Sequence, residues 1–170
     1  MNLSRWIWLA PVVFLLHDAE EVATVLPWVR AHAGQLPAVA RPYAAQITTS
    51  GFAVAVGVLL AGVVLASWHG AQRVRRGVPS WPFLIVAGAL AGNALTHVGQ
   101  AVYFGGYAPG VVTAVVLVVP YAVGLARALR DAGIVTRRQL ALLLALGVVI
   151  QTPIALAGLA AGRLLVAAAA

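Results

Sequence analysis

The sequence predicts an all-α integral membrane protein, a single domain (residues 1 to 170) built as a bundle of five transmembrane helices. Hydrophobic residues make up 62% of the 170 residues and charged residues only 9%, and the mean hydropathy is +0.97. A soluble domain of this length carries about 25% charged residues. Apolar stretches of about 20 residues, the length that a helix needs to cross a bilayer, recur along the chain.

The predicted spans follow these apolar stretches, and loops that contain Pro, Gly or Arg separate them. They cover residues 6 to 28, 46 to 68, 81 to 104, 111 to 129 and 140 to 160. Trp6 and Trp28 bracket the first span, as expected for anchors at the two membrane interfaces. Pro120 predicts a kink in the fourth span, and Pro153 an interruption of the fifth.

Arginine supplies all of the basic charge, since the chain has no lysine, and the net charge is +7. Seven arginines flank the connections after the second and fourth spans, whereas the other two connections hold two. The positive-inside rule therefore predicts a cytoplasmic amino terminus in a multi-pass protein of the bacterial inner membrane. Because the arginines lie between apolar stretches, they indicate topology and contacts with membrane lipids, and we expect no nucleic-acid partner.

The first span contains a dense cluster of ionisable side chains. His17, Asp18, Glu20 and Glu21 lie within five residues, and the chain has one other acidic residue, Asp131. A charge at the centre of a membrane helix costs about 2.5–3.5 kcal/mol, whereas a Leu, Ile, Val or Phe returns only about 0.3–0.6 kcal/mol. These side chains must therefore face the bundle interior, be partly protonated or be neutralised by a cation, and they indicate a functional site.

Residues three and four apart share a helical face, so His17, Glu20, Glu21 and Thr24 form one polar stripe on the first span. The third span carries a second polar stripe at the same depth. Asn93 and His97 are four residues apart and share one helical face. At a rise of about 1.5 Å per residue, His17 lies roughly 16 Å from the cytoplasmic end of the first span. Asn93 and His97 lie roughly 18 and 24 Å along the third span, which runs in the same direction. We expect the two stripes to meet in the outer half of the bilayer.

The chemistry of this set favours a divalent metal. Imidazole nitrogens and carboxylate oxygens are ligands that Zn, Fe and Mn accept, and the absence of cysteine excludes a thiolate site. We predict His17, Glu20, Glu21 and His97 as catalytic residues, and the same four with Asn93 as metal ligands, with no nucleotide cofactor. The spacing does not match the His-Glu-x-x-His zinc helix or the paired Glu-x-x-His sets of di-iron bundles.

The function predicted from these residues is that of a metal-dependent enzyme acting on a lipid or another hydrophobic small molecule. Three alternatives stay open at this stage. The protein is a metal-free acid/base isomerase or cyclase, a proton- or cation-coupled transporter, or a structural membrane subunit whose polar stripe only packs helices together. The sequence leaves the oligomeric state open.

The stretch His17-Asp18-Ala19-Glu20-Glu21 resembles the motif after which the HXXEE family of small multi-span bacterial membrane proteins is named. The resemblance extends over the span that holds Asn93 and His97 and the Tyr107-Ala108-Pro109-Gly110 turn after it. It implies a multi-span membrane fold and supports the motif residues as a site. It implies no particular reaction.

Overall fold

The computed structural model describes residues 2–38 and 40–169, and its helices are joined by turns and loops, with no β-strand among these residues. Five long helices form the bundle: α1 Leu3–Ala31, α2 Thr49–Val74, α3 Trp81–Tyr103, α4 Val111–Asp131 and α5 Arg137–Ala168. The α1–α2 connection also holds a 3₁₀ turn, Ala33–Gln35, and a short helical turn, Arg41–Ala44. The prediction of an all-α fold is confirmed.

Polar N-caps explain where three of these helices begin. The side chains of Thr48, Ser80 and Thr136 each accept a hydrogen bond from the backbone N–H three residues further on. Each cap satisfies one of the N–H groups that the first turn of a helix leaves without a partner. Gln139 completes a capping box with Thr136.

Four helices, α2 to α5, are long and apolar enough to cross a membrane. Helix α1 has 29 residues, but each of its 18-residue stretches contains at least three charged residues. Its composition therefore does not identify it as a span. The fifth span and the cytoplasmic amino terminus stay predictions. Large apolar side chains on the outer surface suit contact with hydrocarbon: Leu65, Val116 and Val149 are 66%, 65% and 70% exposed.

The helix bounds differ from the predicted spans where proline and capping residues act. Helix α1 continues through Pro27 to Ala31, and α5 passes through Pro153 without interruption. Proline is tolerated inside membrane helices when neighbouring groups satisfy the freed backbone. Helix α2 begins three residues later than predicted, after its Thr48 cap. A π-helical turn, Ala114–Val118, ends two residues before Pro120, the position of the predicted kink.

The contacts between helices fix their relative directions. Ile7 near the start of α1 and Phe83 near the start of α3 both pack against Gly70 near the end of α2. Trp6 lies against Tyr121 in α4, with ring centroids 6.1 Å apart. Helices α1 and α3 therefore run in the same direction, and α2 and α4 run oppositely. This arrangement brings the middle of α1 to the middle of α3 and to the start of α4.

Candidate metal centre

Three side chains from two helices converge in the bundle. His17 and Glu21 lie one turn apart on α1, and His97 lies on α3. One ligand atom from each lies within 4.8 Å of the other two. His17 is fully buried, His97 is 5% exposed, and the Glu21 side chain is 16% exposed. We call these three residues the His/Glu cluster. The predicted meeting of the two polar stripes is confirmed for these three residues.

The Glu21–His97 contact is close but is not a hydrogen bond. Glu21 Oε1 lies 2.8 Å from His97 Nε2. Among the described residues, neither ring nitrogen of His97 has a hydrogen-bond partner of acceptable geometry. A buried imidazole nitrogen and a carboxylate oxygen thus approach each other without the alignment of a hydrogen bond, as two ligands directed at a common point would do.

His17 is held at both of its ring nitrogens. Its Nδ1 lies 2.9 Å from the Thr113 hydroxyl oxygen at the start of α4, and its Nε2 lies 3.0 Å from the Asn93 side-chain nitrogen on α3. The His17 and His97 rings meet edge to face, with centroids 4.9 Å apart. Residues of two other helices, α3 and α4, therefore set the orientation of the His17 ring.

Glu20 lies outside the His/Glu cluster because α4 occupies its carboxylate. Oε2 accepts hydrogen bonds from the Thr113 backbone N–H (2.8 Å) and hydroxyl (2.6 Å). Oε1 accepts from the Tyr107 hydroxyl (2.8 Å) and the Val112 N–H (3.4 Å). The start of a helix favours an anion because its first N–H groups are free and its dipole is positive there. Glu20 therefore fastens α1 to the start of α4.

The turn before α4 covers the His/Glu cluster. Gly110 has φ +80°, and a Cβ built on it would lie 2.9 Å from His97 Cε1 and 3.0 Å from His17 Cε1. No side chain fits between this backbone and the rings.

Tyr107 attaches the same turn to α1. The Trp28 indole N–H donates a hydrogen bond to the Tyr107 carbonyl at 2.7 Å. Partial burial and the neighbouring Glu20 carboxylate raise the pKa of the Tyr107 hydroxyl, while a hydrogen bond with Thr24 opposes the shift. Tyr107 therefore stays protonated and donates to Glu20.

The structure distributes the predicted site residues over distinct positions. His17, Glu21 and His97 form the cluster, Asn93 contacts His17, and Glu20 is bound to α4. The sequence pattern predicted no site role for Thr113, and it placed Gly110 only in the turn between the third and fourth spans. One sequence pattern could have pointed to both residues: a hydroxyl residue in the first turn of an apolar span, three residues after a glycine.

A family model described as a protein of unknown function with HXXEE motif matches residues 8–125. The matched region contains the motif in α1, the polar face of α3 and the start of α4. No curated protein and no solved structure matches the chain.

Proposed function

We propose that this chain, which belongs to the HXXEE family, binds one divalent transition-metal ion at the His/Glu cluster and is a metal-dependent membrane enzyme. Its substrate is a lipid or another hydrophobic small molecule. The observation that carries the proposal is the convergence of two imidazoles and one carboxylate from two helices in the interior of an apolar bundle.

The ligand set fits the proposed group. Two His and one carboxylate bind catalytic zinc and also non-haem Fe(II), and both kinds of centre keep coordination positions open for chemistry. Two ligand atoms about 2.1 Å from one ion are at most about 4.2 Å apart. The three ligand atoms lie within 4.8 Å of one another, so small side-chain rotations suffice. A Cβ on Gly110 would also approach Glu21 Cγ to 3.1 Å, so glycine leaves space beside all three ligands.

The surroundings of the cluster support a hydrophobic substrate. Leu16, Val98 and Val112 adjoin His17, His97 and Thr113 in the sequence and are 52%, 37% and 53% exposed. These side chains place apolar groups on the outer surface of the bundle at the level of the cluster. Glu21 is the most exposed member of the cluster, and a substrate entering from the hydrocarbon layer reaches the site on the Glu21 side.

The protein residues around the site have separable tasks. A divalent ion, when bound, polarises a carbonyl or phosphoryl oxygen and activates water. His17, Glu21 and His97 would hold it. The Asn93 amide now donates to His17 Nε2, and it must turn or withdraw when that nitrogen serves as a ligand.

Elemental analysis of the detergent-purified protein tests the proposal. Wild type should retain close to one equivalent of Zn, Fe or Mn after reconstitution. Glu21→Gln and His97→Ala should each weaken binding at least tenfold, because each removes one of three ligands. Asp131→Asn is the matched control: it neutralises a carboxylate whose side chain is 73% exposed and lies at the end of α4, and it should bind metal like wild type.

A wild-type protein that takes up no metal in any reconstitution would refute the proposal. The 2.8 Å approach of Glu21 to His97 would then favour the metal-free acid/base enzyme. In that case Glu21→Gln and His97→Ala should abolish turnover of a hydrophobic substrate without changing the metal content.

A further inference from the structure

We infer that Thr113 is a positioning residue that links the Glu20 carboxylate to His17 by hydrogen bonds and fixes the imidazole tautomer, so that Nε2 carries the electron pair that a metal ion would use. The inference deepens the proposed function, on which the metal-affinity part of it rests. It assigns a purpose to two groups outside the His/Glu cluster.

The direction of the hydrogen bonds follows from the single proton of the Thr113 hydroxyl. Its oxygen lies 2.6 Å from Glu20 Oε2 and 3.3 Å from the Gly110 carbonyl oxygen. A short hydrogen bond to a carboxylate is the stronger choice, because a charged acceptor strengthens the interaction. An ionised carboxylate can only accept. The Thr113 proton therefore points to Glu20.

The His17 tautomer follows from that direction. With its proton directed to Glu20, the Thr113 oxygen can only accept from His17 Nδ1, 2.9 Å away. Nδ1 therefore carries the ring proton, and Nε2 of the neutral ring carries the electron pair. The Asn93 amide nitrogen lies 3.0 Å from Nε2 and donates to it, which agrees with this assignment.

The hydrogen-bonded series Glu20–Thr113–His17 matches the arrangement by which metal sites orient a histidine ligand. A ligating His usually donates its other ring N–H to a carboxylate, a carbonyl or water, which fixes the tautomer and raises the basicity of the ligand. Here a threonine hydroxyl stands between the carboxylate and the ring. The Glu20 carboxylate is itself held by the backbone N–H groups of Val112 and Thr113, so its position does not depend on the hydroxyl.

The Thr113→Val variant tests this link, because valine keeps the shape of threonine and removes only the hydroxyl. Nitrogen-15 NMR of the metal-free protein in detergent reports which ring nitrogen is protonated, with the His17 signal assigned by its loss in His17→Gln. In wild type we expect the proton on Nδ1. In Thr113→Val we expect it to move to Nε2, where a turned Asn93 side chain offers its oxygen.

Two further variants separate this role from general packing. Thr113→Ser restores the hydroxyl and should restore the proton to Nδ1. Thr96→Val is the matched control. It removes a hydroxyl that donates to the backbone carbonyl of Asn93 on α3 and makes no hydrogen bond with His17. It should therefore leave the tautomer unchanged. An Nδ1 proton that persists in Thr113→Val would overturn the inference, as would a wild-type ring protonated at Nε2.

Metal affinity provides the second measurement. Thr113→Val should weaken zinc binding by about 10–100-fold, the usual cost of losing an outer hydrogen-bond partner, and Thr113→Ser should recover most of it. Wild-type protein that binds no metal refutes the proposed function, whereas the tautomer is still decided in the same metal-free samples. Unchanged affinity in Thr113→Val, in a protein whose wild type binds zinc, overturns the positioning role.

Discussion

Gly110 determines how closely the turn before α4 approaches the two histidines. We expect Gly110→Ala to weaken metal binding at least tenfold, because the new methyl group would lie about 3 Å from both rings and from Glu21. Overpacking of this kind costs about 1–3 kcal/mol of stability. Metal titration and thermal unfolding in detergent measure the two effects.

Gly105 provides a control for backbone strain in that experiment. It also has a positive φ, +67°, but a Cβ on it would meet nothing within 4 Å. Gly105→Ala should show only the cost of placing alanine in the left-handed region, about 1–2 kcal/mol, with metal binding unchanged. Equal losses of affinity in Gly105→Ala and Gly110→Ala would show that crowding at the cluster is not the cause.

At this scale the sequence predicted the cluster better than its surroundings. The i, i+4 spacing of His17 and Glu21 and the matching depth of His97 follow from regular helix geometry. The capture of Glu20 by α4 does not, because it depends on where α4 begins and on how closely it approaches α1. Helix periodicity placed Glu20 on the same stripe as Glu21, but it could not show that free N–H groups compete for one of the two carboxylates.

Close contact between α3 and α5 is the principal packing constraint at the scale of the elements. A Cβ on Gly147 of α5 would collide with the backbone carbonyl of Gly88 on α3, so the helices approach each other without side chains between them. Small residues permit such approach in membrane bundles, where packing drives association. Ordinary overpacking lowers the free energy of unfolding by about 1–3 kcal/mol. We expect a larger loss in Gly147→Ala, because the new methyl group would meet backbone atoms, which cannot move aside as a side chain can.

Gly57 and Gly62 in α2 are the matched controls for Gly147, since a Cβ on either meets nothing within 4 Å. Alanine there should be neutral or slightly stabilising, because glycine in a helix interior costs about 0.8–1.0 kcal/mol relative to alanine. A Gly147→Ala protein that unfolds at the wild-type temperature would show that α3 and α5 separate without cost.

The sequence predicted the helices themselves well, since apolar length defines them. Their ends depend on caps and on the tolerance of proline inside a packed bundle, which the apolar pattern does not report.

Over the whole molecule, the seven arginines that flank the α2–α3 and α4–α5 connections and the His/Glu cluster lie at different levels along the bundle. The α2–α3 and α4–α5 connections, with the arginines beside them, lie at the end where α1 starts. On α1 the cluster extends from the middle of the helix to one turn beyond it, level with the start of α4. If α1 crosses the membrane, the positive-inside rule puts the cluster in the outer half of the bilayer. Access to the site is then from the lipid or from the outer face.

Cysteine labelling tests this arrangement without background, since the chain has no native cysteine. In intact cells, a membrane-impermeant maleimide should label Gly34→Cys and Gly106→Cys, at open positions in the α1–α2 and α3–α4 connections. Asn2→Cys and Arg76→Cys should react only after the membrane is opened. Labelling of Asn2→Cys and Gly34→Cys from the same side would show that α1 does not cross. In that case α1 would not be surrounded by hydrocarbon, and the cost of a charge in the bilayer would not explain why Glu20 and Glu21 face α3 and α4. Only the role of the His/Glu cluster would then explain it.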